Sequence, residues 1–140
     1  MNVKIYHGLP QDARRIREAV FMEEQGFQNE FDEVDERAAH LLLYSETGEA
    51  VAVCRVFEGE EKAHYILGRL AVLPACRGQA LGAALLHEAE RFVRAQGGVS
   101  LSLHAQCRVT GFYERSGYRP YGALDDDEGV PHVWMQKALT

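Results

Sequence analysis

Val3, Ile5 and His7 alternate with polar residues until Gly8, which is the two-residue period of a strand. The period then lengthens. Ala13, Ile16 and Val20 make the buried stripe of a helix running from Pro10, placed at its first position, to about Glu24, with Asp12 in the first turn where the helix dipole favours an acid. Residues 25–37 lose the pattern. Glu30, Asp32, Glu33, Asp35 and Glu36 surround the lone apolar residues Phe27, Phe31 and Val34, which predicts a loop with a short helix.

Two β-rich runs, 39–44 and 50–57, flank the polar connection Ser45-Glu46-Thr47-Gly48-Glu49 and should pair antiparallel. A turn at Gly59-Glu60-Glu61 leads to a longer strand over 63–73, where Gly68 marks a bulge or a close backbone approach. Leu81, Leu85, Ala89, Phe92 and Val93 recur at helical spacing until Gly97-Gly98. Val99, Leu101 and Leu103 then alternate with Ser100, Ser102 and His104, so the helix crosses over to a strand with a parallel partner. A short helix over 109–115 stops at Gly117, and strands at 118–121 and 130–137 flank an acidic turn at 125–128. No repeat, linker or low-complexity tract interrupts this order, which predicts a single domain over 1–140.

The stretch Arg77-Gly78-Gln79-Ala80-Leu81-Gly82-Ala83 lies between the apolar run Leu70-Ala71-Val72-Leu73-Pro74 and the long helix, and reads as strand, tight loop, helix start. Small residues let backbone pass close to a ligand, and the first helical turn offers unpaired N–H groups at the positive end of the dipole. The same residues also fit a plain tight turn. Neither the Lys-Ser/Thr of a nucleotide-hydrolase loop nor a G-x-G-x-x-G dinucleotide fingerprint is present, so the phosphate implied belongs to some other ligand.

At 140 residues, 46% hydrophobic, the chain can bury the core of one domain. A net charge of −6 argues against nucleic acid or an anionic membrane as the main partner, because both need a cationic surface. The sequence lacks an apolar run of about 18 residues and a signal pattern at its start, so a soluble, cytoplasmic protein is expected. Cys54, Cys76 and Cys107 are odd in number and widely spaced, which suits reduced thiols rather than disulfides or zinc. His104-x-x-Cys107 has no second close ligand pair, so a metal-dependent hydrolase is a weak reading and no metal is expected.

With L-A-V-L-P-x-x-R-G-x-x-L-G-x-x-L-L at 70–86 and F-Y-E-R-S-G-Y at 112–118, the chain resembles the GNAT superfamily of acyl-CoA N-acyltransferases. Within it, V-F-M-E-E-Q at 20–25, A-x-H at 38–40, H-A-Q at 104–106 and G-V-P-H at 129–132 are similar to the small bacterial ElaA/YjcF-like branch. The resemblance implies an α/β fold: a mixed, mostly antiparallel sheet of about six to seven strands, a central parallel pair splayed around the CoA site, and helices on both faces. It implies acetyl-CoA as co-substrate and a small-molecule or peptidyl amine as acceptor. Leu70, Ala71 and Val72 would meet the acyl-thioester and pantetheine arm. The pyrophosphate would sit on amides of Gly78, Gln79, Ala80, Leu81, Gly82 and Ala83, with Arg77 as its side-chain contact. Gln106 would take the place of a CoA-binding Asn, Phe112 would line the CoA path, and Tyr113 would lie near the thioester sulfur.

Two departures matter. Ala80 replaces a glycine of the usual loop and is expected to keep its backbone contact only with a negative φ. Ile66 and Gly68 occupy the strand positions where many members carry a Glu or His base. Direct transfer needs a neutral amine, and a lysine-like amine is neutral in only about one molecule in 2,500 at pH 7. The candidates for removing its proton are Glu24, Glu33, His40 and His132; Glu24 and Glu33 also stand as acceptor-binding acids beside Arg69, whose guanidinium should pair with a carboxylate of the acidic run. By spacing alone Tyr113 is a core aromatic beside Phe112; the resemblance makes it the proton donor to the leaving thiolate. A non-catalytic acyl-CoA-binding module and an amino-sugar acetyltransferase are the competing readings, and monomer and homodimer both remain open.

Overall fold

The computed structural model describes residues 2–140. Seven strands, β1 (Asn2–His7), β2 (Ala39–Tyr44), β3 (Ala50–Glu58), β4 (His64–Val72), β5 (Ser100–Gln106), β6 (Arg119–Asp127) and β7 (Val130–Ala138), form one sheet in the order β1-β2-β3-β4-β5-β7-β6. Neighbours are antiparallel except β4 and β5, which run parallel. The helices are α1 (Gln11–Arg17), α2 (Val34–Arg37), α3 (Leu81–Ala95) and α4 (Thr110–Arg115).

Helices cover both faces of the sheet centre. Ala13, Ile16, Val20 and Phe21 pack on Leu42, Val53 and Ala71 on one side. On the other, Leu81, Leu85, Leu86, Ala89 and Val93 of α3 pack on Leu41, Leu43, Cys54, Leu67, Leu101 and Leu103. Burial on two faces is why β2 and β3 read as nearly continuous apolar runs rather than alternating ones. At the edges the pattern weakens: Ile5 of β1 is 44% exposed, and β6 is exposed along its whole length.

Several boundaries differ from the sequence reading. Pro10 is the extended residue before α1 rather than its first helical residue. Beyond Arg17 the helix widens into π turns over Glu18–Glu24, with the Gln25 N–H bonded to Val20 O at 3.1 Å. Asp125, Asp126 and Asp127 belong to β6, because their pairing with His132, Pro131 and Val130 of β7 outweighs the low strand propensity of aspartate. The turn contracts to Glu128-Gly129, both at positive φ. α3 ends at a left-handed Gly97, and a Cβ on Gly98 would overlap Val93.

Two irregularities in the middle of the sheet open the cleft. The parallel ladder runs only from His64↔Ser100 to Leu67↔Leu103; beyond it β4 continues to Val72 and β5 to Gln106 without pairing each other. On the other side of β4, Arg55 pairs with Gly68 and Val53 with Ala71, so Arg69 and Leu70 form a bulge with no Cα partner on β3. The bulge begins directly after Gly68, and its left-handed residue is Arg69, at φ 55. A side-chain-bearing residue in that region stores strain, a cost of about 1–3 kcal/mol that the surrounding sheet must sustain.

Candidate active site

A cavity of about 670 Å³ fills the gap between the diverging ends of β4 and β5. Leu70, Ala71 and Val72 form one wall, His104, Ala105 and Gln106 the opposite one, and α4 contributes Phe112 and Tyr113.

At one end lies the glycine loop. The first helical bond of α3 runs from the Ala84 N–H to Ala80 O at 3.1 Å, which leaves the amides of Leu81, Gly82 and Ala83 outside the intrahelical pattern. Gly82 lies against Phe112, whose ring carbon would be 3.4 Å from an added Cβ. Ala80 departs from expectation: its φ is 59, so the alanine takes the left-handed conformation of the glycine it replaces instead of a negative φ. Gly78, Ala80, Leu81, Gly82 and Ala83 line the cavity, whereas Gln79 does not.

Arg77 does not stand free at this end. Its Nη1 and Nη2 each donate to a Glu24 carboxylate oxygen at 2.7 Å, and its Nε donates to Val72 O at 3.1 Å. The Arg77 bond holds the Glu24 carboxyl below its ordinary range, which makes Glu24 a weak base in this state. The next residue reaches the other wall: Gln106 Nε2 donates to Gln25 Oε1 at 2.8 Å, and Arg108 Nε donates to Gln106 Oε1 at 3.0 Å. The π turns thus deliver Glu24 and Gln25 to opposite lips of one cleft.

At the other end is a buried charge network. Arg17, fully buried, donates from Nε to Glu30 Oε2 at 2.8 Å and from Nη1 to Asp35 Oδ1 at 2.7 Å. Arg55 donates to Asp32 at 2.6 Å and to Asp35 at 3.0 Å. Arg69 finds its carboxylate in Glu30, Nε to Oε2 at 2.9 Å, and Nη2 donates to Glu30 O at 2.9 Å. Burial pushes the Glu30 carboxyl up against the pull of Arg69 and Arg17. Arg69 and Glu30 line the cavity.

The imidazoles separate. His40 is fully buried, bonded through Nε2 to Asp35 O at 2.9 Å, and does not line the cavity; burial lowers its pKa. Exposed Glu33 also lies outside the lining. His132 does line it, 5% exposed, with Nδ1 on Val130 O at 2.7 Å. A ring that donates from Nδ1 to a carbonyl presents the lone pair of Nε2. His104 covers it at 4.6 Å between ring centroids and is anchored by Asp125 at 2.7 Å. Glu128 accepts from the N–H groups of Gln28 at 2.9 Å and Asn29 at 3.1 Å, tying the β6–β7 turn to the loop that carries Glu30.

Tyr113 is 9% exposed, edge-on to Phe112 and Tyr118, and lines the cavity. Burial, with Cys54 alongside, raises its phenol, which is therefore protonated at neutral pH. Glu30 is the acidic-run carboxylate expected for Arg69 but not singled out by number, and Gln25 and Glu128 are site residues the sequence reading passed over. Each is distinguished by a long-range pairing, for which local spacing carries no signal.

A family model described as the acetyltransferase (GNAT) domain matches residues 10–139. The chain belongs to the GNAT acetyltransferase family. A Bacillus subtilis (strain 168) protein provisionally named an acetyltransferase is 37% identical over 131 residues, 89% of this chain and 86% of that one. Protein ElaA of Escherichia coli (strain K12) is 27% identical over 130 residues, 89% of this chain and 84% of ElaA. Among solved structures, a provisionally assigned N-acetyltransferase from Lactobacillus plantarum superposes with a TM-score of 0.88 at 29% identity, each chain fully covered. An aminoglycoside 6'-N-acetyltransferase complexed with coenzyme A shares the fold at a TM-score of 0.78 and 16% identity, covering 100% of this chain and 98% of that one. The seven-stranded GNAT sheet with its single parallel pair is thus the expected architecture. No helix among the described residues is long and apolar enough to cross a membrane, and no three His, Cys, Asp or Glu side chains among them converge on one metal position.

Proposed function

We propose that this GNAT protein transfers an acetyl group from acetyl-CoA directly to a primary amine. The observation that carries the reading is the coincidence, in one cleft, of the Arg69-Leu70 bulge with the unpaired amides of Leu81, Gly82 and Ala83. The pantetheine arm lies along Leu70, Ala71 and Val72, and the Leu70 N–H, at the bulge, polarises the thioester carbonyl. The pyrophosphate takes the α3 amides and draws Arg77 from Glu24.

Of the candidate bases, His132 fits best: it lines the cavity and its Nε2 has no hydrogen-bond partner among the described residues, whereas Glu24 is neutralised by Arg77 and His40 is enclosed. His132 Nε2 takes one proton from the ammonium, the neutral amine attacks the carbonyl carbon, the C–S bond breaks as the Tyr113 hydroxyl delivers a proton to the departing thiolate, and the second proton lost by the nitrogen on becoming an amide returns to the phenolate through solvent. Gly68 and Ile66 at the usual base positions favour a second reading, acyl-CoA binding without turnover.

One pair of measurements separates them. Acetyl-CoA should raise the melting temperature, by about 2.7 kcal/mol of stabilisation at 100 times its dissociation constant, and Gly82→Asp should abolish the shift. Thiol release with a panel of amines then reports transfer. A melting shift without release from any amine supports the binding module; no shift at millimolar acetyl-CoA overturns both.

A further inference from the structure

Glu30 and Arg69 leave one polar edge each unused. Glu30 Oε2 receives both Arg17 and Arg69, and its backbone carbonyl receives Arg17 and Arg69 as well; Oε1 accepts no hydrogen bond among the described residues. Arg69 directs Nε and Nη2 at Glu30 and Asp32, while Nη1 has no partner among them. Neither atom is sealed in protein, since the buried side-chain atoms without a partner are His40 Nδ1 and Arg55 Nε. Glu30 is 3% exposed and lines the cavity, so the opening for Oε1 is the cavity itself.

Glu30 Oε1 and Arg69 Nη1 thus leave an acceptor and a donor to the same cavity, which Leu70 also lines. The network behind them is charge-balanced: Arg17, Arg55 and Arg69 against Glu30, Asp32 and Asp35. A ligand with a net charge would unbalance groups largely withdrawn from water, whereas a ligand carrying one charge of each sign would complete both edges. The strained left-handed backbone of Arg69 fixes the guanidinium at this wall.

We propose that the acceptor is an α-amino acid or a compound with the same adjacent amine and carboxylate, its nitrogen received by Glu30 Oε1 and its carboxylate by Arg69 Nη1. The inference rests on the N-acetyltransferase reading and names its substrate class. Glu30 holds the incoming nitrogen beside the thioester while His132 removes the proton.

The test compares L-amino acids of different side-chain size with their α-amides and decarboxylated amines. Binding is read as the melting shift each adds to the CoA-saturated protein, and transfer as thiol release. The amino acids should give the larger shifts and a kcat/KM about 10- to 100-fold above the matching amines, the span of one charge-assisted hydrogen bond. Arg69→Met should bring that ratio towards one while the acetyl-CoA shift persists, and Arg69→Lys, which keeps the buried charge and the fold, should reduce it in the same direction. Glu30→Gln should raise KM for every amine. Decarboxylated amines that bind and react as well as amino acids, or a ratio unchanged in Arg69→Lys, overturn the proposal with N-acetyl transfer intact. Selective amino-acid binding without thiol release would instead overturn the catalytic reading.

Discussion

Glu24 and Arg77 meet across the mouth of the cleft through two bonds of 2.7 Å, joining the end of the π-wound helix to the loop that precedes α3. The pair occupies the guanidinium that a CoA phosphate would use. Both side chains are about 40% exposed, at 39% and 42%, so the pairing is a weak competitor rather than a barrier. Glu24→Gln should therefore tighten CoA about two- to fivefold in calorimetry at low salt, and Arg77→Ala should weaken it. If Glu24→Gln weakens CoA, the carboxylate assists binding. If it abolishes thiol release while CoA binding holds, Glu24 and not His132 is the base.

Ala80 offers a test of loop strain. Holding an alanine at φ 59 costs about 1–2 kcal/mol relative to glycine, offset in part by the greater freedom of glycine in the unfolded chain, about 0.4–1 kcal/mol. Ala80→Gly should raise the melting temperature by about 1–3 °C and leave acetyl-CoA binding in place. A lower melting temperature would mean that the Ala80 methyl contributes packing that exceeds its backbone cost.

The order of elements was legible because hydrophobic period alone distinguishes Leu81-Leu85-Ala89-Val93 from Val99-Leu101-Leu103, and the connection between them dictates a crossover. The glycine loop was legible for a similar reason: it depends on small residues adjacent in sequence. The charged end of the cleft was not. Glu30 looks like any of five acids until Arg17, 13 positions away, and Arg69, 39 positions away, converge on it. His40 begins a strand in either case; only the fold shows its ring turned to Asp35 O and away from the cleft. Asp125 to Asp127 read as a turn because composition reports local preference, whereas β7 supplies the pairing that makes them a strand.

Asp35 links this network to pH. Burial alone would raise its carboxyl, but hydrogen bonds and charge from Arg17, with help from the Asp32 N–H and Arg55, hold it at about 2 against an ordinary 3.8. A carboxyl depressed on folding contributes stability that is complete above its unfolded value and is lost as pH falls through the folded one. The melting temperature should fall between about pH 4 and pH 2, with about 2 kcal/mol of that loss due to Asp35. Asp35→Asn should flatten this limb and lower stability at pH 7 by about 3 kcal/mol, since it removes the carboxylate that Arg17 and Arg55 share and leaves each with a single acidic partner. An unchanged acid limb in the variant would place the titration elsewhere.

Tyr113 packs against Phe112 and Tyr118 and faces the cavity, so its ring and its hydroxyl make separable contributions. Tyr113→Phe keeps both aromatic contacts and removes only the hydroxyl with its proton. With its phenol raised by burial, the native residue carries that proton throughout the neutral range, and its loss should not change the affinity for acetyl-CoA. Turnover should fall about 100- to 10,000-fold, the usual contribution of general acid catalysis, when departure of the thiolate limits the rate. A thioester with a more acidic thiol needs less help from a proton donor, so a more activated acyl donor should recover most of the lost rate. Full turnover of the phenylalanine variant with acetyl-CoA and a good amine would reduce Tyr113 to a packing residue and assign protonation of the thiolate to water or another side chain.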